Sequence, residues 1–202
     1  MRIARLLALL GLGMTLAGCV AGSLQPLFTD KEVIFDPGLL GKWQEVEVPD
    51  PGLWTFPVTG LWTFTKAENQ AYRLTIEQKT DRGGKDRTFW EAHLVSLGMY
   101  TFFDLCPAPL TMEKQVVDKY GYVGLHNQFL VRREKDTFYL AVLNWDWVEN
   151  QIAQGKVHLS SVELENQDRM LTASTQELQQ FYASAARDPE AFTELVVLKR
   201  LK

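Results

Sequence analysis

A-Y-R-L-T-I-E-Q-K, residues 71–79, decides the fold class. Tyr72, Leu74 and Ile76 alternate with Arg73, Thr75 and Glu77. A period of two puts successive side chains on opposite faces, so the stretch reads as a strand with one face buried. The polar, glycine-containing run Asp81-Arg82-Gly83-Gly84-Lys85 then turns the chain into a second strand, residues 88–97. Gly83-Gly84 between Arg82 and Lys85 also fits an anion site, but a hairpin turn accounts for it more simply.

The same signals recur outward in both directions. Upstream, residues 40–46 and 61–66 read as strands, the first broken by Pro49-Asp50-Pro51-Gly52. Downstream come residues 99–105, stopped by Cys106-Pro107-Ala108-Pro109, and then an ambiguous segment at 110–122. Residues 125–133 and 137–143 form a hairpin across Glu134-Lys135-Asp136, and 157–164 pairs with 169–173. Residues 195–199 close the series. Two helices interrupt it. Trp145, Val148 and Ile152 recur at helical spacing up to Gly155, and residues 175–186 carry Leu178, Phe181, Tyr182 and Ala185 on one face. Ser174 and Glu177 have the spacing of a capping box. The expectation is a mainly β domain with two or more helices: an antiparallel barrel or strongly curved sheet with a helix near the carboxy terminus.

The amino terminus is of another kind. Arg2 and Arg5 precede an apolar run at 6–16, about eleven residues, enough for a leader and too short to span a bilayer. Leu16-Ala17-Gly18-Cys19 follows, and these four residues resemble the lipobox of bacterial lipoproteins. The resemblance implies a signal peptide at 1–18, cleavage before Cys19, a diacylglycerol thioether on its sulfur and acylation (palmitate or a similar chain) of the new amino group. That location is a membrane surface of the bacterial cell envelope. Val20, where an Asp would signal retention, leans toward the outer membrane if the cell is Gram-negative. Residues 19–37 then read as a lipid-anchored linker partly packed on the domain, since they carry Leu24, Leu27, Phe28, Val33, Ile34 and Phe35. Asp36-Pro37-Gly38 marks a turn, and residues 38–202 read as a single β-rich domain.

Arg2 and Arg5 leave with such a leader, so the 21 Lys and Arg fall to 19 against 25 Asp and Glu, a formal charge of about −6. That argues against a nucleic-acid partner, which needs a basic surface, and against electrostatic docking on anionic lipid. With Cys19 acylated, Cys106 is the one remaining thiol and no intrachain disulfide can form.

Gly41-Lys42-Trp43, opening the first strand, resembles the Gly-X-Trp motif of the lipocalins. That resemblance implies an eight-stranded barrel with the Trp at its closed end and an apolar pocket at the other. Residues 23–43, 91–95 with 103–105, and 171–175 also resemble a family of bacterial predicted lipoproteins of no established activity, which carries no catalytic residues over.

Chemistry-bearing residues are few. Glu91 and His93, two apart on a strand, share a face and could act as metal ligands or an acid–base pair, or stand as a polar pair on a solvated rim. His126 and His158 are the other histidines. Cys106 with a distant His would make a thiol nucleophile, or a small buried residue. Trp145-Asp146-Trp147 could stack on a sugar or pack a helix start. Gly52-Leu53-Trp54-Thr55-Phe56 is echoed once by Gly60-Leu61-Trp62-Thr63-Phe64, a local duplication that would also display Trp54 and Phe56 at a rim. No metal-binding, nucleotide-binding or hydrolase motif is present, and no cofactor is implied. The chain reads as a non-catalytic module for an apolar or amphipathic ligand, with Trp54, Phe56, Trp62, Glu91, His93 and His126 as candidate contacts. The alternative is an envelope protein–protein interaction or assembly factor.

Overall fold

The structure is a computed structural model, and it describes residues 22–46, 60–79, 83–108, 124–163 and 169–202. The elements in chain order are β1 (Val33–Ile34), a 3-10 turn (Pro37–Leu39), β2 (Gly41–Val46), β3 (Leu61–Lys66), β4 (Tyr72–Lys79), β5 (Lys85–Leu97) and β6 (Tyr100–Pro107). They continue with β7 (Asn127–Glu134), β8 (Thr137–Leu143), α1 (Trp145–Ala153), β9 (Ser161–Glu163), β10 (Arg169–Leu171), α2 (Thr175–Ala185) and β11 (Phe192–Arg200).

The fold is mainly β. Strands β2 to β8 pair as a consecutive antiparallel meander, and β11 closes it by pairing with β8 on one side and β2 on the other. The result is a closed eight-stranded barrel. Closure removes the open edges that a free sheet would expose. Between β8 and β11 the chain makes an excursion through α1, the β9–β10 pair and α2.

Several elements differ in extent from the sequence expectation; β6, expected to stop at Cys106, runs on to Pro107. β5 starts at Lys85, because Lys85 and Arg87 pair with Glu77 across the β4–β5 ladder and carry it through residues that read as turn. β11 starts at Phe192, passing a bulge at Glu194–Val196 that local alternation does not reveal. The 157–164 strand shrinks to Ser161–Glu163, which β10 alone supports. The expected capping box at Ser174 and Glu177 is present on α2.

Strand direction defines two rims. At one rim the connections are tight: β3 to β4, β5 to β6 through Gly98-Met99, and β7 to β8 through Lys135-Asp136. This rim is plugged. Asp36 caps the 3-10 turn through Gly38 N–H, and Trp43, fully buried, donates from Nε1 to the Leu39 carbonyl at 2.8 Å. The Arg200 guanidinium lies 4.3 Å from the Trp43 ring centre and donates to the Leu40 and Gly38 carbonyls. Gly41 explains its own place in Gly41-Lys42-Trp43: its φ is +119°, and a Cβ would stand 3.3 Å from Arg200 Nη1. The opposite rim bears the long connections, with the excursion from β8 to β11 among them.

Above the plug the barrel is filled with side chains. Phe64, Tyr72, Leu74, Phe103, Phe138 and Leu140 point inward and are all but inaccessible. The Phe64 and Phe103 rings stack at 5.8 Å, and Trp43 meets Phe138 edge-on at 4.7 Å. Such pairs add about 0.5–1.5 kcal/mol beyond their burial. A second cluster covers the outer wall of β5 to β7, where α2 lays Leu178, Phe181, Tyr182 and Ala185 over Val95, Leu97 and Phe102.

Residues 22–37 run down that outer wall from rim to rim. Ser23 bridges His126 at the start of β7 and Leu171 at the end of β10. Leu27 is fully buried in the outer cluster, and β1 pairs Val33 and Ile34 with Val95 and Leu94 of β5. Tyr72 OH then receives the Asp36 N–H at 2.6 Å as the chain turns under the plugged rim. This strap is built into the domain's packing ahead of the turn at residues 36–38.

Candidate functional site

Two places gather polar groups against apolar surface. The first is the inner wall near the long-connection rim. Glu45 is two residues after Trp43 on β2, so its side chain also points inward. Its Oε2 accepts from Trp62 Nε1 at 3.1 Å and from Gly60 N–H at 3.2 Å. A Cβ on Gly60 would stand 2.8 Å from Glu45 Oε2 and 3.5 Å from Ile76 Cγ2, so only glycine lets these groups converge. Ile76 and Trp90 extend the surface on β4 and β5, both inward and only partly buried. Loss of water pushes the Glu45 carboxyl above its ordinary range, against the two hydrogen bonds that favour its charged form. The arrangement is an aromatic and aliphatic wall with one carboxylate set into it.

The second lies on the outer wall under the strap. The register aligns His93, Asp104 and Gln128 across β5, β6 and β7, all pointing outward. Asp104 is buried, and its Oδ2 accepts from Leu27 N–H at 2.7 Å and Gln128 Nε2 at 3.3 Å. Its Oδ1 stands 2.5 Å from His126 Nδ1, which donates to it. Gln128 Nε2 also donates to Ser23 Oγ at 2.8 Å, and its Oε1 accepts from Tyr182 OH on α2 at 3.2 Å. Strap and barrel therefore meet at one carboxylate, and the helix joins them through Gln128. No buried side-chain nitrogen or oxygen among the described residues lacks a partner.

Glu91 and His93 do share the outer face. His93 packs against the Phe28 ring of the strap, tilted at 31° with 4.1 Å between ring centres, and is nearly buried, while Glu91 stays mostly exposed. Their closest approach is 3.8 Å, and burial lowers the His93 pKa, so the ring is neutral at neutral pH and the contact is not an ion pair there. His126 meets Asp104 rather than Glu91. Among the described residues no group of three His, Cys, Asp or Glu side chains can hold a metal ion. Cys106 sits on the same wall. Burial, with Asp104 and Glu91 nearby, pushes its thiol up to about 11, so it stays protonated and is a poor nucleophile.

The remaining sequence candidates divide. Trp62 belongs to the inner-wall group. Trp54, Phe56 and Cys19, the leader at 1–18 and the segment at 110–122 lie outside the described residues. Trp145 and Trp147 are tied within their own surroundings, Trp145 to Glu149 at 3.2 Å and Trp147 to Asp188 at 3.0 Å. Trp147 edges a shallow surface pocket of about 580 Å³ with Lys156 and Arg187.

Sequence reasoning passed over Glu45, Asp104, Gln128 and Arg200, and read Tyr182 only as part of the apolar face of its helix. A signal existed for two of them. Glu45 has the inward parity of Trp43, and Asp104 interrupts the apolar run Phe102-Phe103-Asp104-Leu105. Comparison with known proteins finds no matching family model, no matching curated protein and no matching solved structure.

Proposed function

We propose that this chain is a lipoprotein of the bacterial cell envelope, anchored through acylated Cys19, whose barrel holds an apolar or amphipathic molecule at the rim opposite the plug. The reading is non-catalytic. The carrying observation is the asymmetry of the inner wall. Around Trp43, Phe64, Phe103 and Phe138 the interior is sealed. Toward the other rim, Ile76 and Trp90 remain partly accessible beside the inward carboxylate of Glu45. Apolar walls with one well-placed polar group are what small-molecule sites offer: the wall supplies affinity and the polar group fixes orientation. Glu45 suits the polar end of an amphiphile, whether an amine, a hydroxyl or an amide. The outer-wall polar group serves a different end, since its hydrogen bonds hold the strap and α2 on the barrel.

The anchoring rests on Leu16-Ala17-Gly18-Cys19. Two or more acyl chains at about 0.8 kcal/mol per buried methylene hold a protein on a bilayer without a spanning helix. No helix among the described residues is long and apolar enough to cross a membrane. The test is lipid extraction of protein purified from its own membranes, followed by mass spectrometry. A stoichiometric amphiphile that is lost on Ile76→Asp supports the site. Protein free of any co-purifying amphiphile, and taking none up from added lipid, overturns it.

A further inference from the structure

We propose that the ligand rim of the barrel faces the bilayer, so that the barrel takes its amphiphile directly from the lipid surface. This rests on the anchoring proposed above and adds an orientation to it. Ser23 N–H donates to the His126 carbonyl at 2.8 Å, and His126 N–H returns a bond to Ser23 at 2.9 Å. Leu171 N–H holds Gly22 and Leu24 N–H holds Leu171, both at 2.9 Å. Gly22 itself is pressed so closely on Leu125 that a Cβ would lie 3.0 Å from Leu125 Cβ. Gln128 and, through it, Asp104 fix the Ser23 side chain. The strap is thus pinned where β7 begins, which is the rim of the long connections.

Chain length does the rest. Three residues separate Cys19 from Ser23, and a fully extended chain covers at most about 14 Å over that interval. The plugged rim is further away. Strands of eight residues rise about 26 Å along their length, or roughly 20 Å along the axis of a barrel with the usual strand tilt. From Ser23 the strap descends away from the anchor, past Asp104 and β5, to the plug. An acyl group on Cys19 therefore holds the rim with Glu45, Ile76 and Trp90 toward the membrane and turns Met99, 87% exposed at the other rim, away from it. An amphiphile leaving the bilayer then reaches the inner wall without crossing open water, its apolar body toward Trp90 and its polar end at Glu45.

The test places a fluorophore at each rim of the lipidated full chain bound to phosphatidylethanolamine/phosphatidylglycerol vesicles carrying a nitroxide-labelled lipid as quencher. Cys106→Ser removes the background thiol, and Lys85→Cys at the start of β5 and Met99→Cys at the plugged rim supply the labels. The expected result is several-fold stronger quenching at position 85 than at 99. A flexible Gly/Ser insertion after Val20 should level the two while leaving the protein on the vesicles. Equal or reversed quenching in vesicle-bound protein overturns the orientation and leaves the anchoring standing. If the unsubstituted chain fails to stay on membranes, behaving as Cys19→Ala does, the anchoring falls and this inference with it.

Discussion

The two faces of the β5–β7 wall are buried by opposite chemistry. Inward, Ala92, Leu94, Phe103, Leu105 and Phe129 belong to one apolar cluster. One residue away on the same strands, His93, Asp104 and Gln128 face outward; the Phe28 ring covers His93, and directed hydrogen bonds from the strap and α2 hold Asp104 and Gln128. Because the side-chain period is two, a slip of one residue would exchange these sets, so each face enforces the register of the other. The inner face supplies most of the stabilising burial and tolerates some repacking. The outer face supplies direction. An apolar strap on an apolar wall could slide, whereas Leu27 N–H on Asp104 and Ser23 on Gln128 fix one seating.

Breaking the inner face should cost most. Phe103→Ala removes a ring stacked on Phe64 from a sealed interior and should lower stability by about 3–5 kcal/mol in urea titration. Removing the acceptor of the outer face comes next. Asp104→Ala strands the Leu27 N–H, the His126 ring and one bond of Gln128, and should cost about 3 kcal/mol. Its distinguishing readout is limited proteolysis: cleavage within residues 22–32 should appear while the barrel stays intact. Phe103→Ala should instead loosen the whole domain at once. An Asp104→Ala protein whose strap resists protease as the unsubstituted one does would show that apolar contact alone seats it.

Smaller effects separate the faces further. Ser174→Ala removes the capping box of α2, the cover of the outer face, and should cost about 1 kcal/mol without changing inner-wall binding. Glu45→Gln probes the inner face by pH. The folded carboxyl has a raised pKa, so the folded state binds its proton more tightly than the unfolded state does. Its contribution is therefore present below the ordinary carboxylate pKa and lost as pH rises through the raised value. Denaturation across the acid-to-neutral range should show Glu45→Gln without that decline and slightly more stable than the unsubstituted protein at neutral pH. An unchanged slope would mean that Glu45 is solvated and that its wall is not dry.

The strand at residues 71–79 and the capping box at Ser174 were legible in the sequence because their signals are local, a period of two and a spacing of three. The shared face of Glu91 and His93 was legible for the same reason. What covers that face was not, since the cover arrives from the strap at Phe28, some sixty-five residues upstream. The plug shows the same limit. Gly41-Lys42-Trp43 marks a strand start, but Arg200, which stacks on Trp43, stands at the far end of the chain, where one arginine looks like any other. Asp104 draws its partners from the strap, from β7 and from the residue before it, and pairings over such separations leave no periodic trace. The barrel is the sum of such closures, β11 on β2 above all.

The most direct test of the ligand site is saturable uptake of an apolar fluorescent probe such as N-phenylnaphthylamine by the purified barrel, with added lipid as competitor. The expected result is a saturable rise in fluorescence that lipid displaces, abolished by Ile76→Asp on the inner wall and unchanged by Met99→Ser at the plugged rim. No saturable uptake, or equal uptake by the Ile76→Asp protein, would contradict the assignment of that wall as the binding surface.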